Sequence, residues 1–363
     1  MRFFLVALLA FTVSGQVTDV SGSRIRAHVK FLASDLLEGR GVGERGGELA
    51  TEYLATQFAL AGLKPIGDNK TFYQKVSLVG ITTEPAAHLE IANGSSRTQL
   101  KWQQDFVGAT QRQRNDQFDA EVVFMGHGIS APEFGWDDYQ GVDVKGKIVV
   151  LFTNEPPSED PKFFGGKALT YYGRWTYKYE QATRKGALGC IIVHTTPTAG
   201  YSWEVVRNSW GKEDPQVRLS DGEYAMSFAG WVFASTGKSV DEMVKLADTR
   251  GFKPITLPIR VSGNLPTKIR PIEARNVIGM VEGSDPKLKD EAVIFTAHWD
   301  HLGIGTPVNG DNIYNGAVDN ATGCGVLLEL ARAWANLPKK PRRSAIFLSV
   351  TAEESGLKGA EYY

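Results

Sequence analysis

The stretch AVIFTAHWD, residues 292–300, decides the fold class that the sequence predicts. Its first six residues form a continuous apolar run, which is typical of a strand covered on both faces. A helix is predicted over 321–334, and Pro338 and Pro341 close it. The run AIFLSVT at 345–351 then repeats the buried-strand pattern. Two such strands joined by a helix predict a parallel pair with a right-handed crossover.

The spacing of apolar residues divides the rest of the chain into helical and β-like parts. Apolar residues recur at helical spacing over 23–36 and 48–61, whereas short β-like runs separated by turns fill about 73–265. We therefore expect helices in residues 16–72, a separate, mainly β region in 73–265, and the βαβ unit in 266–363. The predicted class is α/β, with a mixed, mainly parallel sheet and flanking helices.

The first residues predict export. Arg2 precedes an apolar run over 3–13, and the small residues VSG follow at 13–15. This pattern indicates a signal peptide in residues 1–15, cleaved after Gly15, and a secreted or periplasmic location. The alternative, a membrane anchor, is disfavoured because about eleven apolar residues are too few for a bilayer, which needs roughly 20. No later apolar stretch has spanning length, so no membrane association is expected after cleavage.

Composition excludes several classes of partner and protein. The chain is 42% hydrophobic and 22% charged, as ordinary globular proteins are, and is neither disordered nor fibrous in type. Its 40 basic and 41 acidic residues leave a net charge of -1, so no global field favours nucleic acid or an anionic membrane. The two cysteines, Cys190 and Cys324, lie in apolar surroundings. They are expected to be buried free thiols, although export permits a disulfide.

Polar residues follow the first predicted strand. His298 can offer a ring nitrogen to a metal ion, and the carboxylate of Asp300, two residues on, can hold the other ring nitrogen and fix its tautomer. These residues alone form a weak signal. The competing interpretation makes His298 a satisfied loop residue and Asp300 a turn former.

A second polar segment opens the predicted helix. Asp319 and Asn320 precede ATG at 321–323, and either residue suits a helix cap. Alternatively, Asp319 points outward and offers its two carboxylate oxygens to two metal ions. The local sequence favours neither interpretation.

Two adjacent acids follow the second strand. Side chains of neighbours point in different directions, so one of Glu353 and Glu354 could bind a metal ion while the other faces a water molecule. An exposed acidic loop is the common explanation for such a pair. It is weakened here because the pair directly follows a buried strand, where an unpaired charge is costly.

The three polar segments are predicted to meet at one edge of one sheet, because ligands gather beyond the carboxyl ends of strands in open α/β sheets. Imidazole and carboxylates suit zinc, and neither thiol lies among them in the sequence, which disfavours a closed structural zinc site.

The same segments resemble a known family. TAHWD at 296–300, GAVDNATG at 316–323 and AEESGLKG at 352–359 look like the three signature segments of the co-catalytic zinc aminopeptidases, the zinc-dependent exopeptidase family that includes glutamate carboxypeptidase. FLASDLLEGR at 31–40 resembles the amino-terminal helices of members that carry a protease-associated domain, and the inserted region 73–265 resembles that domain.

The resemblance implies a role for each matching residue. His298 would bind one zinc ion, Asp319 would bridge two ions, and Glu354 would bind the second. Glu353 would be the general base, which takes a proton from water and passes it to the leaving amine. Asp300 would orient His298. The implied activity is hydrolysis of terminal bonds of a peptide substrate by a secreted enzyme, with an aminopeptidase expected and a carboxypeptidase as the alternative.

The family pattern continues beyond this chain. It includes a further aspartate and a final histidine ligand, whereas the sequence ends at Tyr363 inside a predicted helix. We therefore expect a chain truncated at its C-terminus, with the first part of the catalytic domain in 266–363. Two alternatives remain: an inactive binding homologue, or a related hydrolase or cyclising acyltransferase that uses one zinc ion. The sequence predicts no oligomeric state.

Overall fold

The computed structural model describes residues 20–220, 223–234 and 238–363, and the predicted signal peptide lies outside them. The helices are α1 (Gly22–Leu32), α2 (Arg45–Leu60), α3 (Trp175–Arg184), α4 (Thr196–Ala199), α5 (Trp203–Trp210), α6 (Lys238–Ala247), α7 (Gly323–Ala335) and α8 (Lys358–Tyr362). The strands are β1 (Lys64–Pro65), β2 (Tyr73–Thr83), β3 (His88–Asn93), β4 (Ser96–Leu100), β5 (Phe106–Ala109), β6 (Asp116–Phe124), β7 (Ser130–Ala131), β8 (Trp136–Asp137), β9 (Ile148–Leu151), β10 (Gly189–His194), β11 (Asp214–Val217), β12 (Phe228–Phe233), β13 (Ile255–Leu265), β14 (Thr267–Val281), β15 (Ala292–His298), β16 (Gly303–Val308), β17 (Asp311–Tyr314) and β18 (Ser344–Val350).

The first sheet has the order β11-β2-β14-β18-β15, with β1 paired to β14. The α/β class and the mixed sheet are confirmed, and β15 and β18 are parallel as predicted. The expectation of a mainly parallel sheet is wrong for the described strands, since the other pairs of this sheet are antiparallel. The physical reason is the long pairing of β2 with β14, in which Thr83 lies opposite Thr267. The end of β2 therefore lies beside the start of β14, and the two strands run in opposite directions.

Between β2 and β14 the chain forms a second sheet of eight strands, with the order β4-β3-β13-β6-β9-β10-β12-β5. This insert also contains α3, α4, α5 and α6. Two strands from the region expected to be inserted belong to the first sheet instead: β2 pairs with β14 along its whole length, and β11 pairs with β2. Residues 73–83 are therefore part of the first sheet, and the insert also supplies an edge strand to it.

Three helices cover one face of the first sheet. The α2 residues Ala50, Leu54 and Phe58, spaced by four, are buried and pack in one cluster with Leu327 of α7 and Phe347 of β18. The cluster also includes Leu32 at the end of α1. This packing fixes α7 against the two parallel strands, and the segment preceding α7 is thereby held near their carboxyl ends.

Strand β15 departs from its expected burial. Among the described residues it is an edge strand, and the side chains of Val293 and Ile294 are 46% and 47% exposed. Both faces of β15 are therefore partly uncovered in the described part of the chain, whereas β18, which lies between β14 and β15, is buried along most of its length. The apolar sequence is the same type in both strands, and position in the sheet decides the difference.

The structure also bears on the cysteines and on membrane-spanning helices. Cys190 and Cys324 are both free and buried, as predicted. No helix in the described part of the chain combines the length and the apolar character that crossing a membrane requires.

Candidate metal centre

The three polar segments meet where the parallel strands end. His298 is the last residue of β15 and lies opposite Val350, the last residue of β18. Glu353 and Glu354 follow β18 directly, and Asp319 lies between β17 and α7. The geometry brings all five predicted site residues, His298, Asp300, Asp319, Glu353 and Glu354, into one constellation.

The ring of His298 is held in a defined tautomer. Its Nδ1 lies 3.0 Å from the main-chain oxygen of Asp300, and because a carbonyl only accepts, Nδ1 must donate. The other ring nitrogen, Nε2, then faces the Asp319 Oδ1, 3.0 Å away, and the Glu353 Oε2, 3.6 Å away. Two electron-rich atoms at 3.0 Å attract each other only when a proton or metal ion joins them. This arrangement fits a cation ligated by His298 and Asp319.

Asp300 is fully buried, and its main chain and its carboxylate have different partners. Its carboxylate lies 3.9 Å from the His298 Nδ1, while its main-chain oxygen makes the short contact. The carboxylate oxygens instead accept hydrogen bonds from the main-chain N–H groups of Glu353, at 3.2 Å, and Glu354, at 3.3 Å. The role of Asp300 in orienting His298 stays a prediction, with the main-chain oxygen making the shorter contact. Burial raises the pKa of Asp300 to about 7, and nearby His298 opposes the shift.

The structure separates the roles of Asp319 and Asn320. Asn320 Oδ1 accepts a hydrogen bond of 3.0 Å from the N–H of Gly323, at the start of α7. Asp319 makes no such cap; its backbone is non-helical, with φ -109° and ψ 97°, and its side chain is 61% exposed. The alternative in which Asp319 merely caps the helix is therefore wrong. Its carboxylate is left to face His298.

His301 joins the site although sequence reasoning missed it. Its Nδ1 lies 2.6 Å from the Glu354 Oε1, and both side chains are largely covered. The available signal was the spacing itself, since His301 follows His298 by three residues in the segment after a strand. A histidine this close to a candidate ligand can orient the carboxylate or bind an ion itself.

Two overlapping groups have metal-ligand geometry. The first is His298, Glu353 and Glu354, and the second is His301, Asp319 and Glu354; in each group one ligand atom per residue lies within 4.8 Å of the others. Glu354 belongs to both groups. The described residues therefore present two adjacent places for a cation that share one carboxylate.

A buried asparagine supports the loop that carries the two glutamates. Asn276 of β14 is fully buried, and its Oδ1 accepts a hydrogen bond of 3.0 Å from the N–H of Thr351. Its Nδ2 donates to the main-chain oxygen of Gly359 at 2.9 Å. Asn276 thus ties both ends of the loop that contains Glu353 and Glu354. Sequence reasoning missed it because the strand and the loop are far apart in the chain.

Glu354 also borders two cavities. One, of about 580 Å³, lies between Glu354 and the insert, whose Arg174, Trp175, Tyr201 and Trp210 line it. The other, of about 120 Å³, is lined by His301, Glu44 and Lys212 as well as Glu354. Burial lowers the pKa of Lys212, and the carboxylates of Glu44 and Glu354 oppose that shift. The first cavity has a size typical of small-molecule sites.

Comparison with known proteins shows what this region is similar to. Residues 276–363 match Peptidase family M28. A probable zinc metalloprotease of Pyrenophora teres f. teres is 32% identical over 103 residues, which are 28% of this chain and 21% of that protein. Aminopeptidase NAALADL1 of Rattus norvegicus is 40% identical over 90 residues, which are 23% of this chain and 10% of that protein. The chain therefore spans a quarter or less of the length of these curated relatives.

A solved structure is similar over nearly the whole chain. The aminopeptidase from Aneurinibacillus sp. strain AM-1 superposes with a TM-score of 0.50 at 21% identity, covering 96% of this chain and 66% of that one. At this identity the similarity establishes the fold and nothing finer. The match to Peptidase family M28 covers β14 from Asn276 onward, β15, α7, β18 and every predicted site residue. Together with the curated relatives, it shows that residues 276–363 of this chain are similar to Peptidase family M28.

Proposed function

We propose that this chain carries the metal centre of a secreted zinc metallopeptidase that hydrolyses terminal peptide bonds, with an aminopeptidase as the preferred assignment. The observation that carries the proposal is the pair of overlapping ligand groups that share Glu354 at the carboxyl ends of β15 and β18. They lie within the residues that match the peptidase family. We also propose that the insert is a protease-associated domain, on the basis of the sequence resemblance.

The donor set fits zinc. Neutral imidazole and carboxylate groups are common zinc ligands, and the buried thiols of Cys190 and Cys324 do not belong to either group. His298, Asp319 and Glu354 would hold the zinc ions, and Glu354 is the residue that belongs to both ligand groups. His301 is placed to hold or supplement the Glu354 ligand. Bound zinc would polarise the scissile carbonyl and lower the pKa of a water molecule.

Glu353 is assigned as the general base. Its burial raises its pKa, while His298 opposes the shift and Glu354 adds to it. A carboxylate with a raised pKa holds an abstracted proton more readily near neutral pH. The main-chain N–H of Glu353 is fixed by Asp300, so the side chain projects from an anchored position. Glu353 would take the proton from water and return it to the leaving amine.

One observation favours the carboxypeptidase alternative enough to test it. Arg174 lines the 580 Å³ cavity together with Glu354, and its positive charge acts on Glu353. A guanidinium near the metal ions suits the free carboxylate of a peptide C-terminus. Peptides blocked separately at either end distinguish the alternatives: an aminopeptidase rejects N-acetyl peptides, and a carboxypeptidase rejects C-terminal amides.

The proposal is tested with zinc uptake and hydrolysis measured on the same preparations. Equilibrium dialysis of a complete form of the enzyme should give two zinc ions per chain, and Asp319→Ala should abolish tight uptake. In that complete form, Glu353→Gln should retain zinc but lose roughly 10²- to 10⁴-fold in turnover, because only the base is removed. Glu361→Gln, an exposed change on α8, is the matched control.

The remaining outcomes separate the alternatives. Loss of zinc from Glu353→Gln would reverse the assignment of the two glutamates. Activity that follows one ion per chain would favour the single-zinc hydrolase or acyltransferase. Zinc uptake without hydrolysis of any terminal peptide bond would favour a binding homologue.

A further inference from the structure

Arg40 is a buried cation beneath the candidate metal centre. It ends the turn that follows α1, and it is only 1% exposed. Its φ of 54° lies in the left-handed region, which is unfavourable for a residue with a side chain. Such a conformation persists only when the surrounding contacts hold it.

The guanidinium group donates to the main chain of two separate segments. Nε donates to the oxygen of Trp299 at 2.8 Å. Nη1 donates to the oxygen of Asn315 at 2.7 Å, and Nη2 donates to the oxygen of Gly316 at 3.0 Å. A further bond from Nη1 reaches the oxygen of Leu32, at the end of α1. One side chain therefore joins three parts of the fold.

The first two of those segments carry the candidate ligands. Trp299 lies between His298 and Asp300, and Gly316 lies three residues before Asp319. The main chain of Arg40 adds another link, since its oxygen accepts a hydrogen bond of 3.2 Å from the N–H of His301. Arg40 thus bonds to both segments that must lie at a fixed separation for His298 and Asp319 to share an ion.

The segment that contains Trp299 and the segment that contains Asn315 and Gly316 lie at the two ends of one β-hairpin. Strands β16 and β17 pair with Gly303 opposite Tyr314, and the hairpin opens at that point toward His301 and Asn315. Gly39, with φ 68°, fits against this opening: an added Cβ would lie 2.5 Å from the Gly303 oxygen and 2.6 Å from the Tyr314 oxygen. Only glycine allows the chain to approach so closely. That approach places the next residue, Arg40, across the base of the hairpin.

We propose that Arg40 is a positioning residue that fixes the spacing between the His298 and Asp319 segments, so that the metal site is formed before an ion binds. The inference rests on the proposed metal centre and deepens it. Arg40 itself does not touch the ligand atoms. Its role is exerted through four main-chain carbonyls.

The chemistry of the side chain suits this role. A guanidinium offers five N–H donors in a planar fork, so one group can satisfy carbonyls in several directions, whereas the ammonium of lysine has three donors at one point. Burial lowers the pKa of Arg40, but Cys324, Asp300, Asp319 and Glu354 oppose the shift, and the group stays charged. Its positive charge offsets repulsion among the carboxylates that must converge.

The test uses two variants with different geometry. Arg40→Lys keeps the charge but loses the fork, and Arg40→Gly removes the side chain at a backbone conformation that glycine adopts readily. The control is Arg275→Lys, because the Arg275 guanidinium bonds Thr51 and Glu52 of α2 rather than the metal-binding segments. Zinc affinity is measured by competition with a chromogenic chelator, and thermal unfolding is followed by circular dichroism in EDTA.

Both Arg40 variants should unfold cooperatively in EDTA and bind zinc about 10- to 100-fold more weakly, the effect typical of removing a residue that orients metal ligands. The Co²⁺-loaded variants should also show altered visible absorption, which reports ligand geometry. Ethylguanidinium should restore zinc affinity in Arg40→Gly, where it can occupy the space of the lost side chain. Arg275→Lys should keep wild-type zinc affinity.

The possible failures are distinguishable. Folded Arg40 variants with wild-type zinc affinity would overturn the positioning role and leave the metal centre intact. Loss of cooperative unfolding in both variants, measured without metal, would assign Arg40 to the fold alone and would also overturn it. A wild-type chain that takes up no zinc would instead contradict the proposed function.

Discussion

At the scale of single residues, Asp300 links the two strand ends. Its main-chain oxygen orients His298 at the end of β15, and its carboxylate accepts the N–H groups of Glu353 and Glu354 after β18. One residue therefore sets both the tautomer of a candidate ligand and the position of the two acids. An asparagine has the same shape but carries two N–H donors where the aspartate has an acceptor.

Asp300→Asn should therefore weaken zinc binding about 10- to 100-fold, because one main-chain N–H of the glutamate pair would face a donor. The change should also lower the free energy of unfolding by about 1–3 kcal/mol, the cost of leaving a buried donor unpaired. Chelator competition and urea denaturation measure the two effects. Asp311→Asn is the control, since Asp311 accepts a similar main-chain bond in an exposed hairpin. Unchanged zinc affinity in Asp300→Asn would contradict this account.

At the scale of elements, α1 and α7 are joined by one buried carboxylate. The side chain of Glu329 in α7 is fully buried, and it accepts hydrogen bonds from the guanidinium groups of Arg24 in α1 and Arg332 in α7. The main-chain N–H of Ser21, before α1, donates to the same carboxylate at 2.9 Å. The hydrogen bond from Arg332 is the main cause of a pKa of Glu329 well below its usual value of 4.5, and the bonds from Arg24 and Ser21 add to the shift.

Glu329→Gln should lower the free energy of unfolding at pH 7 by about 2–3 kcal/mol, because hydrogen bonds to a charged acceptor are lost. The pKa is lower in the folded than in the unfolded chain, so the stabilisation is complete above about pH 4.5 and declines as the pH falls below it. Urea denaturation of both chains at pH 7 and across the acid range measures the difference, which should narrow on acidification. A difference that stays constant between pH 7 and 3 would be inconsistent with this mechanism.

Glu282→Gln serves as the matched control for that series. Glu282 pairs with Lys64 on the surface, with both side chains about half exposed. Exposed ion pairs contribute about 0–1 kcal/mol, so this substitution should change stability little at any pH. A comparable loss in both variants would indicate a general charge effect rather than the link between α1 and α7.

At the scale of the whole molecule, the insert and the first sheet share a cavity. The walls of the 580 Å³ cavity come mainly from the insert, and Glu354 is its contribution from the candidate metal centre. Trp175 and Trp210 pack edge to face within this wall, at 5.6 Å between ring centroids. The insert is also tied to the first sheet by β11, so its deletion would disturb the fold as well as the cavity. A single substitution in the wall is therefore the better probe.

Val205→Trp should fill part of this cavity and weaken binding of peptides that extend into it by about tenfold, equivalent to roughly 1.4 kcal/mol. Val205 is 44% exposed and lines the cavity, whereas Val308, 45% exposed on β16, does not. Val308→Trp is thus a matched control. Quenching of tryptophan fluorescence by a series of peptides of increasing length measures the affinities in both variants. Wild-type affinity of Val205→Trp for peptides of every length would show that bound peptides do not extend into this cavity.

The sequence by itself determined the elements and the chemistry of the centre. Periodicity placed α2, α7, β15 and β18, and the position of polar residues after strands predicted that His298, Asp319 and the glutamate pair converge. These features depend on local spacing and on the general geometry of parallel strands, which short segments encode. The motif resemblance pointed to the family that residues 276–363 match for the same reason.

Only the tertiary structure decided the rest. Arg40, Asn276 and His301 gain their roles from partners distant in the chain or on another strand end, and no local pattern marks such partners. The antiparallel β2–β14 pair, the exposure of β15 and the exchange of roles between the carbonyl and carboxylate of Asp300 also depend on where elements lie in the sheet. Sequence specifies which groups are available, whereas packing decides which of them come within hydrogen-bond distance.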